Sequence, residues 1–148
     1  MLGFNPFGKK VDDIHPSMAK FVDFLKASEN ISDIKSIEGA ENVVTFKIGP
    51  SPFILSYKEK TNWIELIFAV PFEQEEAVGF YKHLNELNLM TNDSKVILDQ
   101  NDSGEPFLRI SSIDVGDFDG NEFGTVMASF LNDVSTVVRS DAWKKWVK

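Results

Sequence analysis

The chain contains no cysteine, which excludes disulfides, thiolate nucleophiles and cysteine-ligated metal centres. Histidine is nearly as scarce. His15 and His83 stand alone, with no His-x-x-x-His pair to seed a zinc site on a helix. No Gly-x-Ser-x-Gly elbow presents a nucleophilic serine. Gly116, Gly120 and Gly124 have the wrong spacing for a phosphate-cradling loop, and no Lys-Ser or Lys-Thr pair follows them. No apolar run approaches the about 18 residues that a membrane-spanning helix needs. Positive charge is in deficit: 15 Lys and Arg face 23 Asp and Glu, a net charge of -8. Such a surface repels nucleic-acid phosphates and anionic lipid, so neither nucleic acid nor membrane is expected as a partner. The same charge favours solubility, or steers a basic partner.

Hydrophobic material is plentiful, at 43% of 148 residues with 13 Phe. That argues against disorder and provides one core. The expectation is an irregular segment over residues 1–13 and a single domain over 14–148. Met1 to Phe7 lacks the basic flank and continuous apolar run of a secretory signal, so a cytoplasmic location is expected.

Periodicity supplies the elements. After Pro16, the spacing of Met18, Phe21, Val22 and Leu25 predicts a helix with one apolar face. Strand alternation follows three times: Val44, Phe46 and Ile48; then Phe53, Leu55 and Tyr57; then Ile64, Leu66, Phe68 and Val70. Gly49-Pro50-Ser51-Pro52 and Lys60-Thr61-Asn62 make the turns, and connections this short imply an antiparallel meander. Glu73, Glu75 and Glu76 open a second helix, whose buried stripe is expected to be Ala77, Phe80, Tyr81, Leu84 and Leu87. Asn88 or Asn92 would close it in the left-handed conformation. Two more strands, around Val96 and Leu98 and around Leu108 and Ile110, flank the loop Gln100 to Gly104. A long helix carrying Phe123, Val126, Met127, Phe130, Leu131, Val134 and Val138 then runs toward Trp143 and Trp146. The fold class expected is α+β, in the order α-β-β-β-α-β-β-α, with an antiparallel sheet packed against helices.

No catalytic set converges, so no catalytic residue, cofactor or metal ligand is assigned and the chain is not expected to be an enzyme. Asp99 to Gly104 imitates the start of a calcium loop, but Ile110 occupies the position that needs a bidentate carboxylate. Asp114, Asp117 and Asp119 form an acidic loop before the last helix. They support a second possibility, a small-ligand or divalent-metal sensing domain, although capping of that helix explains Asp117 and Asp119 as well. The aromatic residues suggest binding instead. Trp63 falls on the sheet face opposite Leu66 and Phe68, beside Ile67 and near Ile54. Either this is an exposed apolar patch for a partner, or a helix or second subunit covers it. Trp143 and Trp146, set among Lys144, Lys145 and Lys148, either contact a partner or pack back on the domain.

The element order is similar to that of the type III secretion chaperone-like fold, which includes secretion chaperones and the YbjN-like proteins. The likeness extends to a Leu-Asn-x-Leu-Asn segment ending the second helix (Leu84, Asn85, Leu87, Asn88). It includes the pair Val96-Ile97-Leu98-Asp99 and Pro106-Phe107-Leu108-Arg109-Ile110, and a final helix leading to Trp143. The chain departs from that pattern at Gly49-Pro50-Ser51-Pro52 and over Met1 to Asp13. The resemblance implies a small, acidic, non-enzymatic protein-binding module, chaperone-like or regulatory. Such a module is often a homodimer and holds a secreted or regulatory protein on exposed apolar surface. Ile54, Trp63, Ile67, Trp143 and Trp146 are the residues expected to make that contact.

Overall fold

The computed structural model describes residues 14–72 and 77–147. The irregular start over residues 1–13 and the acidic first turn at Glu73, Glu75 and Glu76 lie outside these. The fold is α+β: a six-stranded antiparallel sheet in the order β1-β2-β3-β4-β6-β5, with four α-helices. The strands are β1 (Ile31–Ile37), β2 (Ala40–Ile48), β3 (Ser51–Lys58), β4 (Trp63–Pro71), β5 (Lys95–Gln100) and β6 (Pro106–Val115). The helices are α1 (Ala19–Ala27), α2 (Ala77–Met90), α3 (Gly120–Arg139) and α4 (Asp141–Trp146). Two compact units divide the described chain, and β4, β6 and α3 each contribute residues to both.

The first unit holds α1, β1 to β3, the start of β4, the end of β6 and the first residues of α3. Pro16 begins a short 3-10 turn that leads into α1, and the His15 ring Nδ1 accepts the Ser17 N–H at 3.1 Å. Phe21, Val22 and Leu25 of α1 are buried. In the β2–β3 pair, Val44 lies opposite Leu55 and Phe46 opposite Phe53, with the two phenyl rings stacked 5.6 Å apart. Phe21 meets Phe123 edge-to-face at 4.9 Å and Phe118 at 5.0 Å, the geometry that aromatic quadrupoles favour.

The second unit holds the rest of β4, α2, β5, most of β6, α3 from Thr125, and α4. Val96 pairs with Ile110 and Leu98 with Leu108 across β5 and β6. Asn101 Oδ1 accepts the N–H groups of Ser103 and Glu105, which closes the loop between them. Phe80 and Leu87 of α2 are fully buried, as are Phe130 and Val137 of α3.

Four sequence expectations need correction. β1 is an extra strand before the meander: its Ile31, Ile34 and Ile37 recur every third residue, and two register shifts plus a left-handed Asp33 (φ 51°) break the period of two. Tyr81 is exposed at 54%, so it does not belong to the buried stripe of α2. Asn88 lies inside α2, which continues to Met90, and neither Asn88 nor Asn92 takes the left-handed conformation. The last helix is interrupted: Ser140 caps α4 by accepting the Trp143 N–H at 3.2 Å, so the two tryptophans sit on a separate short helix.

Candidate functional site

Side chains alternate along β4, with Ile64 and Leu66 buried in the core and Trp63 and Glu65 directed to the opposite, outer face. The pairing of β4 with β6 is fixed at both ends. The Gly116 N–H bonds the Asn62 carbonyl at 3.1 Å, and the Phe72 N–H bonds the Pro106 carbonyl at 3.1 Å. These two bonds share one antiparallel register, so Trp63 lies opposite Val115 and Glu65 opposite Ile113. Both are the non-hydrogen-bonded kind of pair, in which side chains approach most closely. Ile113 is 41% exposed and Val115 62% exposed, while Trp63 and Ile54 are half-buried. Within the first unit, then, the structure brings Ile54 and Trp63 to an outer face that also carries two exposed aliphatic side chains.

Two polar groups on this face lack partners. Glu65 is only 6% exposed, and among the described residues no hydrogen bond or ion pair engages its carboxylate. The Trp63 indole N–H is buried and has no acceptor. Glu65 is absent from the sequence-based set because nothing local marks it. Its burial reflects the position of β4 inside the sheet, between β3 and β6.

The remaining predicted contacts belong to the second unit. Ile67 is half-buried. Trp143 is 5% exposed and thus turned inward. Trp146 packs against Phe80 at 5.6 Å, His83 at 5.6 Å and Phe72 at 6.5 Å, with the Lys145 ammonium 5.9 Å from its ring. α4 is therefore folded back within its own unit.

The acidic loop splits into separate roles. Asp119 Oδ1 accepts the N–H groups of Asn121 and Glu122 and caps α3. Asp117 lines a cavity of about 330 Å³ with Lys20, Phe21, Tyr57, Asn62 and Phe118. Asp114 is buried, and burial, reinforced by Glu122 and Asp119, raises its carboxyl above the ordinary range. Among the described residues, no group of three or more His, Cys, Asp or Glu side chains is placed to hold a metal ion.

Sequence reasoning missed a polar network at the α2–β5 loop. Asp133, in the apolar stripe of α3, is fully buried and accepts the N–H groups of Asn92, Asp93 and Ser94 at 2.9, 3.1 and 3.0 Å. Desolvation pushes its pKa up, but the hydrogen bonds from the 92–94 loop outweigh it, so the carboxyl lies below its usual range. A lone Asp inside a seven-residue apolar stripe was the available signal.

No sequence-family profile matches the chain, and no curated protein matches it in sequence. Its structure is similar to that of YbjN from E. coli, described as a candidate transcription regulator, with a TM-score of 0.65. That match covers 83% of this chain and 89% of YbjN at 12% identity. The chain thus has a YbjN-like fold. Among the described residues, no helix is long and apolar enough to cross a membrane.

Proposed function

We infer that this chain is a non-enzymatic, cytoplasmic protein-binding module, chaperone-like or regulatory, that holds a partner segment on the outer sheet face of its first unit. The observation that carries this reading is the exposure of Ile113 and Val115 beside Trp63 and Ile54 on one face, where aliphatic and aromatic surface would gain most by burial. Apolar area of this kind contributes roughly 25 cal/mol per Å² when it leaves water. The regulatory half of the reading is supported by the description of YbjN as a candidate transcription regulator. With a net charge of -8, such a role would run through protein contacts rather than through DNA phosphates.

The test is affinity capture from native lysate with wild-type protein and with Val115→Asp, each checked for native circular dichroism. A partner held by the wild type and lost by Val115→Asp supports the reading, whereas equal capture by both removes this face from the function. The expected homodimer is tested by sedimentation of the same two proteins. Dissociation caused by Val115→Asp would identify a second copy of the chain as the partner.

A further inference from the structure

We propose that Glu65, with the Trp63 ring beside it, forms a cation pocket on the outer face of the first unit that receives an arginine side chain from an extended partner polypeptide. This rests on the binding role inferred for that face and adds the chemistry of what it binds.

A carboxylate on an apolar sheet face costs free energy unless something pairs with it. Glu65 is 6% exposed, and among the described residues nothing engages its carboxylate. Its neighbours on that face are Trp63, two positions back on β4, and Ile113, across the β4–β6 ladder. The neighbouring indole N–H of Trp63 is likewise buried without an acceptor. Two unpartnered polar groups thus border exposed Ile113 and Val115.

The charge specifies the occupant. A partner presenting only apolar side chains would bury the carboxylate completely with no compensation, which is strongly unfavourable. A partner cation removes that cost. Arginine fits better than lysine because its planar fork can bond both carboxylate oxygens and stack on the indole face at once. The flanking residues of the partner would be aliphatic, to cover Ile113 and Val115. In an extended segment they would stand two positions either side of the arginine, since alternate side chains share a face. The net charge of -8 favours the approach of such a basic segment.

The experiment is a two-dimensional amide and indole NMR titration of the full chain with the peptide acetyl-Leu-Ser-Arg-Ser-Leu-amide. The matched probe replaces Arg with citrulline, which keeps the shape and removes the charge. The expected result is saturable shifts of the Trp63 indole and of the Glu65, Ile113 and Val115 amides. Citrulline should bind at least about fivefold more weakly, and Glu65→Gln should abolish the difference between the peptides. Equal binding of both peptides at this face would overturn the cation pocket while leaving the face as a binding surface. Shifts confined to other residues, or none at millimolar peptide, would also overturn it. The role of the face itself is decided separately by the Val115→Asp capture.

Discussion

The side chain of Asn88 holds both backbone groups of Val96: its Oδ1 accepts the Val96 N–H at 2.8 Å, and its Nδ2 donates to the Val96 carbonyl at 2.9 Å. β5 is the terminal strand of the sheet, and Val96 is where α2 is tied to it. The carboxamide substitutes for a further strand at that point. Thr91 extends the seal by donating its hydroxyl to the Ser94 carbonyl at 2.6 Å. Covering an edge in this way is one of the means by which sheets avoid unwanted strand addition.

Asn88→Ala leaves a backbone donor and a backbone acceptor without partners, so it is expected to destabilise the protein by about 2–4 kcal/mol. Asn88→Asp retains the acceptor for the Val96 N–H and sets a carboxylate against the Val96 carbonyl, so it should also destabilise. Urea denaturation measures both. An Asn88→Ala midpoint equal to wild type would mean that the two hydrogen bonds contribute nothing net.

Asp133 gives stability a dependence on acid. Its folded carboxyl lies below the ordinary range, so its contribution is fully present above the unfolded carboxylate pKa and is lost as pH falls through the folded value. Asp133→Asn cannot accept three N–H groups with a full charge, and is expected to cost about 3 kcal/mol at pH 7. The deficit should shrink as the pH falls through the lowered folded-state value, where wild-type Asp133 becomes protonated. A deficit that stays constant from pH 7 to pH 2.5 would contradict the charge-based account.

Asp114 acts in the opposite sense. Burial, then Glu122 and Asp119, raise its carboxyl, so its stabilising contribution is present below the unfolded carboxylate pKa and lost as pH rises through the folded value. Asp114→Asn is therefore expected to raise the melting temperature at pH 7 by a few degrees, and by less at pH 4. Thermal melts across that window check the sign. An Asn variant less stable than wild type at pH 7 would show that the ionised carboxylate is being used.

Much of the fold follows from local pattern. The alternation of Phe53, Leu55 and Tyr57, and of Ile64 and Leu66, marks core faces, and those side chains are buried. The turn at Gln100 to Gly104 is likewise set by residues within it. β1 was not legible because Asp33 in the left-handed region shifts the register, and a hydrophobic spacing of three reads as neither strand nor helix. Of the candidate site, Ile54 and Trp63 could be placed on one face by strand parity alone. Glu65 could not, since a charged residue at an alternate strand position reads as solvated until Ile113 is known to lie opposite it. Trp143 misleads for the converse reason. Among three lysines it suggests an exposed end, but the Ser140 cap restarts the helix and turns the indole inward.

α4 docks on α2 through Trp146, which meets Phe80 and His83. Gly79 makes room for Trp146: a Cβ at that position would stand 3.2 Å from Cη2 of the indole and 3.6 Å from Cζ2. The ring is held by Phe72, Phe80 and His83, while its Nε1 is buried without an acceptor. The indole therefore contributes through packing and not through a hydrogen bond. Trp146→Ala is expected to cost about 2–3 kcal/mol, less than a fully buried Trp because part of the ring is exposed. Trp146→Phe loses no hydrogen bond and keeps an aromatic face for Phe80, so it should cost less than about 1.5 kcal/mol. Gly79→Val brings a branched side chain against the ring and should undock it, seen as a red shift of tryptophan emission that Gly79→Val/Trp146→Phe no longer shows. If Trp146→Phe proves as costly as Trp146→Ala, the indole N–H has a partner and the packing account of α4 fails.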